Sequence, residues 1–273
     1  MSLRRYGIGA GALLAASIWA EQVLALPKDW ALGFQPAASP VMERIEDFHR
    51  LLLYIITAIS AFVLVLLLIV MFRYNQRANP VPSKTHHNTL LEVVWTVIPI
   101  VILVLIAIPS FRLLYFEADI PKPDVTILAV GKQWYWTYQY PSANIQFDSL
   151  MLSDADAKKA GEPRLLGVDN KIVLPVNKVI EVETTGADVI HSWALPEMGV
   201  KMDAVPGRLN HTWFKATKLG TFYGECSELC GARHAFMPIE VHVVSDADYA
   251  TWLAAAKKKF AAIENDATRV ASK

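Results

Sequence analysis

The stretch Gly224-Glu225-Cys226-Ser227-Glu228-Leu229-Cys230-Gly231-Ala232-Arg233-His234-Ala235-Phe236-Met237-Pro238 holds both cysteines of the chain. Two thiols, an imidazole and a thioether fall within the twelve residues from Cys226 to Met237. Cys and Met sulfur favour copper, and imidazole suits it as well. Zinc is a poorer match, because its structural sites take Cys, His or carboxylate rather than a thioether. Two plainer readings stand beside this one. Paired cysteines in an exported chain often form a disulfide, and Met237 could be core filler. The first leaves His234 and Met237 without a purpose, and the second does not account for so dense a run of donors. A blue-copper site needs one Cys, one downstream His, an axial Met and a distant second His. The additional thiol points to a second metal ion.

A distant histidine should complete the set. His86 and His87 lie in a basic link, and His49 lies near a helix start. His242 falls on the outward parity of its strand, and His211 begins a strand with no nearby donor. His191 sits in Asp188-Val-Ile-His191-Ser-Trp193, at the end of a β segment, 35 residues before Cys226. It is the expected ligand.

The remaining chain must hold these groups. Its 273 residues are 53% hydrophobic, with the excess in two runs, and its net charge is zero. No basic patch suggests nucleic acid. The absence of Cys-x-x-Cys-His means that no c-type haem is attached to this chain. Residues 1–25 have Arg4 and Arg5, a short apolar stretch, and small residues at Ala20 and Ala25. That is the pattern of an export signal. Residues 26–48 read as an exposed, periplasmic N-terminal segment. Leu51–Phe72 and Val93–Phe111 are uncharged runs of 22 and 19 residues. The longer would span about 33 Å as a helix, enough for a hydrocarbon core of about 30 Å. A helical transmembrane hairpin is expected over 49–116, with helices at 49–73 and 91–115. The link between them carries Arg73, Arg77 and Lys84 and no acid, so it belongs in the cytoplasm. Both termini then face the periplasm. Glu92 opens the second helix, where an ionisable group is either a functional residue or a carboxylate favoured by the helix dipole.

From 117 to 245 the pattern changes to short segments rich in Val, Ile, Thr and aromatics, separated by Pro and Gly. Segments at 124–131, 133–140, 171–174, 178–185, 188–195, 211–217 and 238–244 predict an all-β sandwich or small barrel. The donors then sit on a loop between a strand ending near Tyr223 and one starting near Pro238. In 246–273, Ser245 and Asp248 form a capping pattern, and Tyr249, Trp252, Leu253, Ala256 and Phe260 follow at helical spacing. A C-terminal amphipathic helix and tail are expected.

Several motifs coincide in order: Gln133-Trp134-Tyr135-Trp136-Thr137-Tyr138, His191-Ser-Trp193-Ala, Asp203-Ala-Val-Pro206-Gly207-Arg208, and Cys226-Ser-Glu228-Leu-Cys230-Gly-x-x-His234-x-Phe-Met237-Pro238. With both apolar runs and the Phe34-Gln35-Pro36 segment, the chain resembles subunit II of the bacterial haem–copper cytochrome c oxidases. The resemblance implies a cupredoxin-like β domain carrying a binuclear copper centre, CuA. Cys226 and Cys230 would bridge both ions. His191 and Met237 would help hold one, and His234 and the Glu228 carbonyl the other. The Glu228 side chain would face a magnesium shared with subunit I. Trp134 would receive electrons from docked cytochrome c, steered by acids with Asp148, Asp169, Asp188 and Glu197 as candidates. Glu92, in Glu92-Val-Val-Trp95-Thr96, would mark the mouth of a proton path into subunit I. Partners would be oxidase subunit I with its haem a, other oxidase subunits, cytochrome c and membrane lipid. The location would be the bacterial inner membrane. A copper-delivery protein would share the tether but hold one exchangeable ion, and a related quinol oxidase subunit would lack the copper ligands.

Overall fold

The structure is a computed structural model that describes residues 23–26 and 30–260. Most of the expected export signal, residues 1–22, lies outside the described residues, as does the end of the tail, residues 261–273.

Two long helices come first. Helix α1 spans Pro40–Arg73 and α2 spans Thr89–Ala118. Each has a side-chain N-cap: the Ser39 hydroxyl accepts from Met42 N, and the Asn88 carbonyl oxygen accepts from Leu91 N. Pro40 fits the first turn of α1, where no amide hydrogen is needed. This cap carries α1 well upstream of the expected start at 49. Both helices are long and apolar enough to cross a membrane, and their most apolar windows are unburied within the chain. Their surfaces therefore need lipid or another protein.

The β domain has two main sheets. One orders β1 (Val23–Ala25), β10 (Gly220–Glu225), β11 (Pro238–Val244) and β5 (Ile172–Pro175). The other orders β4 (Ile145–Ser149), β3 (Tyr135–Tyr140), β2 (Val125–Lys132), β6 (Val179–Gly186) and β9 (Asn210–Lys215). A separate hairpin pairs β7 (His191–Leu195) with β8 (Val200–Ala204). Short helix α3 (Asp154–Ala160) and the C-terminal α4 (Asp246–Lys259) complete it. The expected Ser245 cap forms, with its hydroxyl accepting from Asp248 N. Strands β4 and β8 and helix α3 are additional to the sequence reading. β4 and β8 are short and interrupted by polar residues (Gln146, Asp148, Lys201, Asp203), which dilutes the β signal. Val23–Ala25 lies within the expected signal region, where it pairs in parallel with Gly220–Phe222.

Strict alternation in β6 puts Ile180, Val182 and Thr184 inside. They join a core in which Trp136, Trp193, Tyr138, Tyr140, Phe214 and Phe222 are buried. Burying a large apolar side chain contributes about 1.5–3 kcal/mol. The polar ends are accounted for. Tyr140 OH donates to Val173 O and accepts from Val173 N, and Trp193 Nε1 donates to Tyr138 OH. β11 departs from simple alternation. Glu240 lies on its polar face yet is buried, because the segment before β5 covers it and Val168 N donates to its carboxylate.

The N-terminal segment before the first membrane run is not simply exposed. Ala38, Ser39, Val41 and Met42 are buried against the β domain. Ser39 Oγ donates to Met198 O at 2.6 Å, Ala38 N donates to Glu197 O at 2.8 Å, and Thr217 N donates to Ala38 O at 2.9 Å. Unpaired backbone groups are costly to bury, so these bonds determine how the hairpin joins the domain.

Candidate metal centre

β10 ends at Glu225 and β11 begins at Pro238, so both cysteines, His234 and Met237 lie on the connection between two paired strands. β7 runs beside the start of that connection. Trp193 bridges to Cys226, and Ser227 N donates to Ser192 O at 3.0 Å. This close approach depends on glycine: a Cβ at Gly224 would stand 1.9 Å from Ala194 O. A second glycine makes room for the ligand ring, since a Cβ at Gly131 would lie 2.7 Å from the His191 ring.

The donors converge. Cys226 Sγ lies 3.9 Å from Cys230 Sγ and 3.9 Å from His191 Nδ1. Cys230 Sγ lies 3.6 Å from His234 Nδ1 and 3.6 Å from Met237 Sδ. The Glu228 carbonyl oxygen is 3.4 Å from Cys226 Sγ. Both cysteines are free thiols. Their separation is nearly twice a disulfide bond of about 2.05 Å, which sets the disulfide reading aside. It is also within the span of two metal–thiolate bonds, each about 2.3 Å for a first-row ion such as zinc. Both histidines turn Nδ1 to a sulfur. The six expected ligand groups are therefore brought together, and a soft thiophilic metal fits them.

The charges favour a cation. Burial pushes the Cys226 thiol up, but His191, the Glu228 and Ser192 backbone and His234 outweigh it and bring it below the ordinary thiol range. Burial and the Cys226 charge push the Cys230 thiol up. Two adjacent thiolates need compensating positive charge, and a metal supplies it while displacing the remaining proton. Asp188 sets the His191 ring. Its Oδ1 lies 2.9 Å from His191 Nε2, and its carboxylate accepts from Gln133 N and Val189 N, each at 2.7 Å. Burial would raise the Asp188 carboxyl, but His191 and the two amides more than offset it and hold it low. This orienting role is absent from the sequence reading, which places Asp188 among the steering acids. Its position three residues before a candidate ligand was the available signal.

Other expected positions fall as follows. Trp134 is in the turn between β2 and β3, with β3 starting only at Tyr135. It is half-buried, and its Nε1 donates to Cys230 O at 3.2 Å, next to Gln133 Nε2 donating to the same oxygen at 2.9 Å. Trp136 is buried, packs on the His191 ring and donates to Met237 O. The Glu228 side chain is exposed. Glu92 stands at the opposite end of α2 from the β domain, where its Oε1 lies 2.8 Å from His87 Nδ1. Glu197 cannot act as a surface acid. It is wholly buried beneath the Gln35 amide, and burial raises its carboxyl to about 7.

Fold and donor set together define a membrane-anchored, copper-binding β-sandwich protein. Family models agree. One for "Cytochrome C oxidase subunit II, periplasmic domain" matches residues 125–244, and one for its "transmembrane domain" matches residues 27–113. A "Probable cytochrome c oxidase subunit 2" of Rickettsia bellii is 54% identical, covering 88% of this chain and 89% of the relative. The "Cytochrome c oxidase subunit 2" of Cereibacter sphaeroides is 45% identical, covering 91% and 89%. The solved periplasmic domain of the Bradyrhizobium japonicum subunit is 62% identical over 52% of this chain and all of that one, with a TM-score of 0.49. The chain belongs to the cytochrome c oxidase subunit II family. It is thus a membrane protein with a periplasmic domain and a component of an oxidoreductase complex that includes subunit I.

Orienting contacts of this kind are worth about 10–100-fold in metal affinity. Asp188→Asn is expected to weaken copper binding by that factor while leaving the far-ultraviolet circular dichroism unchanged. Competition against a graded series of chelators measures it.

Proposed function

We propose that this chain accepts single electrons from a periplasmic cytochrome c at a dicopper CuA centre and passes them to haem a of subunit I. Cys226 and Cys230 would bridge the ions, His191 and Met237 would hold one, and His234 and the Glu228 carbonyl the other. The observation that carries this reading is the pair of free, buried thiols 3.9 Å apart, each within 4 Å of a histidine Nδ1. Bridging thiolates would let one electron spread over both copper ions, so that little bond rearrangement accompanies each transfer.

The chain's own groups supply the rest. Two paired strands and the β7 bridge hold the donors rigid, and Trp136 and Met237 pack the interior side of the loop. Trp134 touches Cys230 through its indole N–H and remains partly open to solvent, which suits a relay between a docked carrier and the metal. Among the acids first considered for steering, Glu197 is buried and Asp188 is committed to His191, so Asp148 and Asp169 remain candidates for attracting a basic carrier. The exposed Glu228 carboxylate could reach a magnesium shared with subunit I. Arg73, Arg77 and Lys84 favour a cytoplasmic link, which would put Glu92 at the cytoplasmic mouth of a proton path and both termini outside.

The full chain, loaded with copper in detergent, should hold two tightly bound ions and give an electron paramagnetic resonance pattern from two equivalent nuclei. A single-nucleus pattern, or one exchangeable ion per chain, would overturn the reading. In the assembled oxidase, Trp134→Ala should slow electron uptake from cytochrome c by at least about tenfold with the copper spectrum intact, measured by stopped-flow. An unchanged uptake rate rules out its relay role. Glu92→Ala should lower steady-state turnover several-fold without altering copper content, and turnover at the parent rate would remove Glu92 from the proton path.

A further inference from the structure

We propose that Glu181, Glu183 and His211 form a second metal site, for a divalent d-block cation with zinc foremost, on the outer face of the β6–β9 pair. The register builds it. Glu181 and Glu183 are two apart on β6 and share its outer face, while His211 stands directly opposite Glu183 on β9. His211 Nδ1 lies 3.1 Å from Glu181 Oε1 and 3.8 Å from Glu183 Oε1. One ligand atom from each residue falls within a 4.8 Å cluster. Donors about 2.0–2.2 Å from a tetrahedral zinc stand about 3.3–3.6 Å from one another, so only small side-chain adjustments are needed. Thr126 Oγ1 donates to Glu181 Oε2, leaving Oε1 for the cluster. Such an orienting bond to a ligand carboxylate is usual around bound metals.

The charge is uncompensated. Two carboxylates face one imidazole, and among the described residues no Lys or Arg pairs with either acid. The other carboxylate–histidine cluster of the β domain is different. There Lys171 Nζ pairs with Glu162 and lies 2.8 Å from Glu240, beside His242, so an ammonium already supplies the cation. At the β6–β9 cluster, burial pushes the Glu183 carboxyl up, His211 lowers it, and Glu181 adds a smaller upward push. Three donors, one of them an imidazole nitrogen, are a poor match for calcium, which takes six to eight oxygens. A zinc ion would take them with water in its fourth position. The ion can reach the site, because the His211 side chain is 41% exposed and borders an open cleft lined by Leu114, Val200, Met202 and Trp213.

The test uses the copper-loaded full chain in detergent, so that the thiols are already occupied. Zinc is titrated by equilibrium dialysis against the parent, Glu183→Gln and His211→Asn. Each substitution is expected to remove one zinc equivalent, or weaken it at least tenfold, with the copper spectrum unchanged. X-ray absorption at the zinc edge should show nitrogen and oxygen neighbours and no sulfur. Zinc held elsewhere, for example near His87 and Glu92, remains in all three proteins and cancels in the comparison. Equal zinc binding by the parent and either variant, or sulfur around the lost equivalent, would overturn the proposal.

Discussion

The approach of β7 to the end of β10 governs the metal centre. Cys226, Cys230, His234 and Met237 share one connection, so local chain geometry can gather them. His191 comes from a different strand and reaches them only because Trp193 bridges to Cys226 and Ser227 bonds back to Ser192. That contact in turn requires a residue without a side chain at 224, since Ala194 O occupies the space a Cβ would need. A backbone-to-backbone constraint thus places His191, the remote member of the donor cluster, and the side chains follow from it.

Electrostatics then sets what the placed groups can hold. The thiols resist carrying two negative charges together, and a buried histidine beside them is held by Asp188 through its other nitrogen. The ring is therefore fixed in orientation, with Nδ1 turned to sulfur. The same reasoning separates the two carboxylate clusters of the β domain. A lysine sits within one; the other faces an imidazole alone. At the β6–β9 cluster the polar groups are positioned by strand register, where residues two apart on a strand and directly opposite on its neighbour share a face.

The joint between hairpin and β domain is short and specific. Ser39 works in both directions: its oxygen accepts from Met42 N to start α1 and its hydroxyl donates to Met198 O in the β domain. Ala38 is held by backbone bonds on both sides, to Glu197 and Thr217. A β domain attached this way has a defined orientation relative to its two long helices. Burial of Glu197 beneath this joint explains why an acid in a polar-looking turn is not available at the surface.

The sequence by itself determined the donor set, the two membrane-length helices, the capped terminal helix and the all-β character between them. Those features are local: donors within a stretch of twelve residues, uninterrupted apolar runs, a Ser-x-x-Asp cap and period-two alternation all act through near neighbours along the chain. It also singled out His191, through the need for one more ligand. Only the tertiary structure decided where Asp188, Glu197 and His211 lie and what they meet. Glu197 looks like ordinary polar surface in sequence, and His211 looks isolated, because their partners lie far along the chain or across a sheet; Asp188 stands three residues before His191, but the Gln133 amide that also holds its carboxylate is 55 residues away. Gln35 meets Glu197, and Glu181 and Glu183 meet His211, through chain crossings and strand register that no short window contains. β4 and β8 were hidden for a related reason, since a short strand with charged or amide residues on one face is stabilised by its neighbours in space rather than by its own composition.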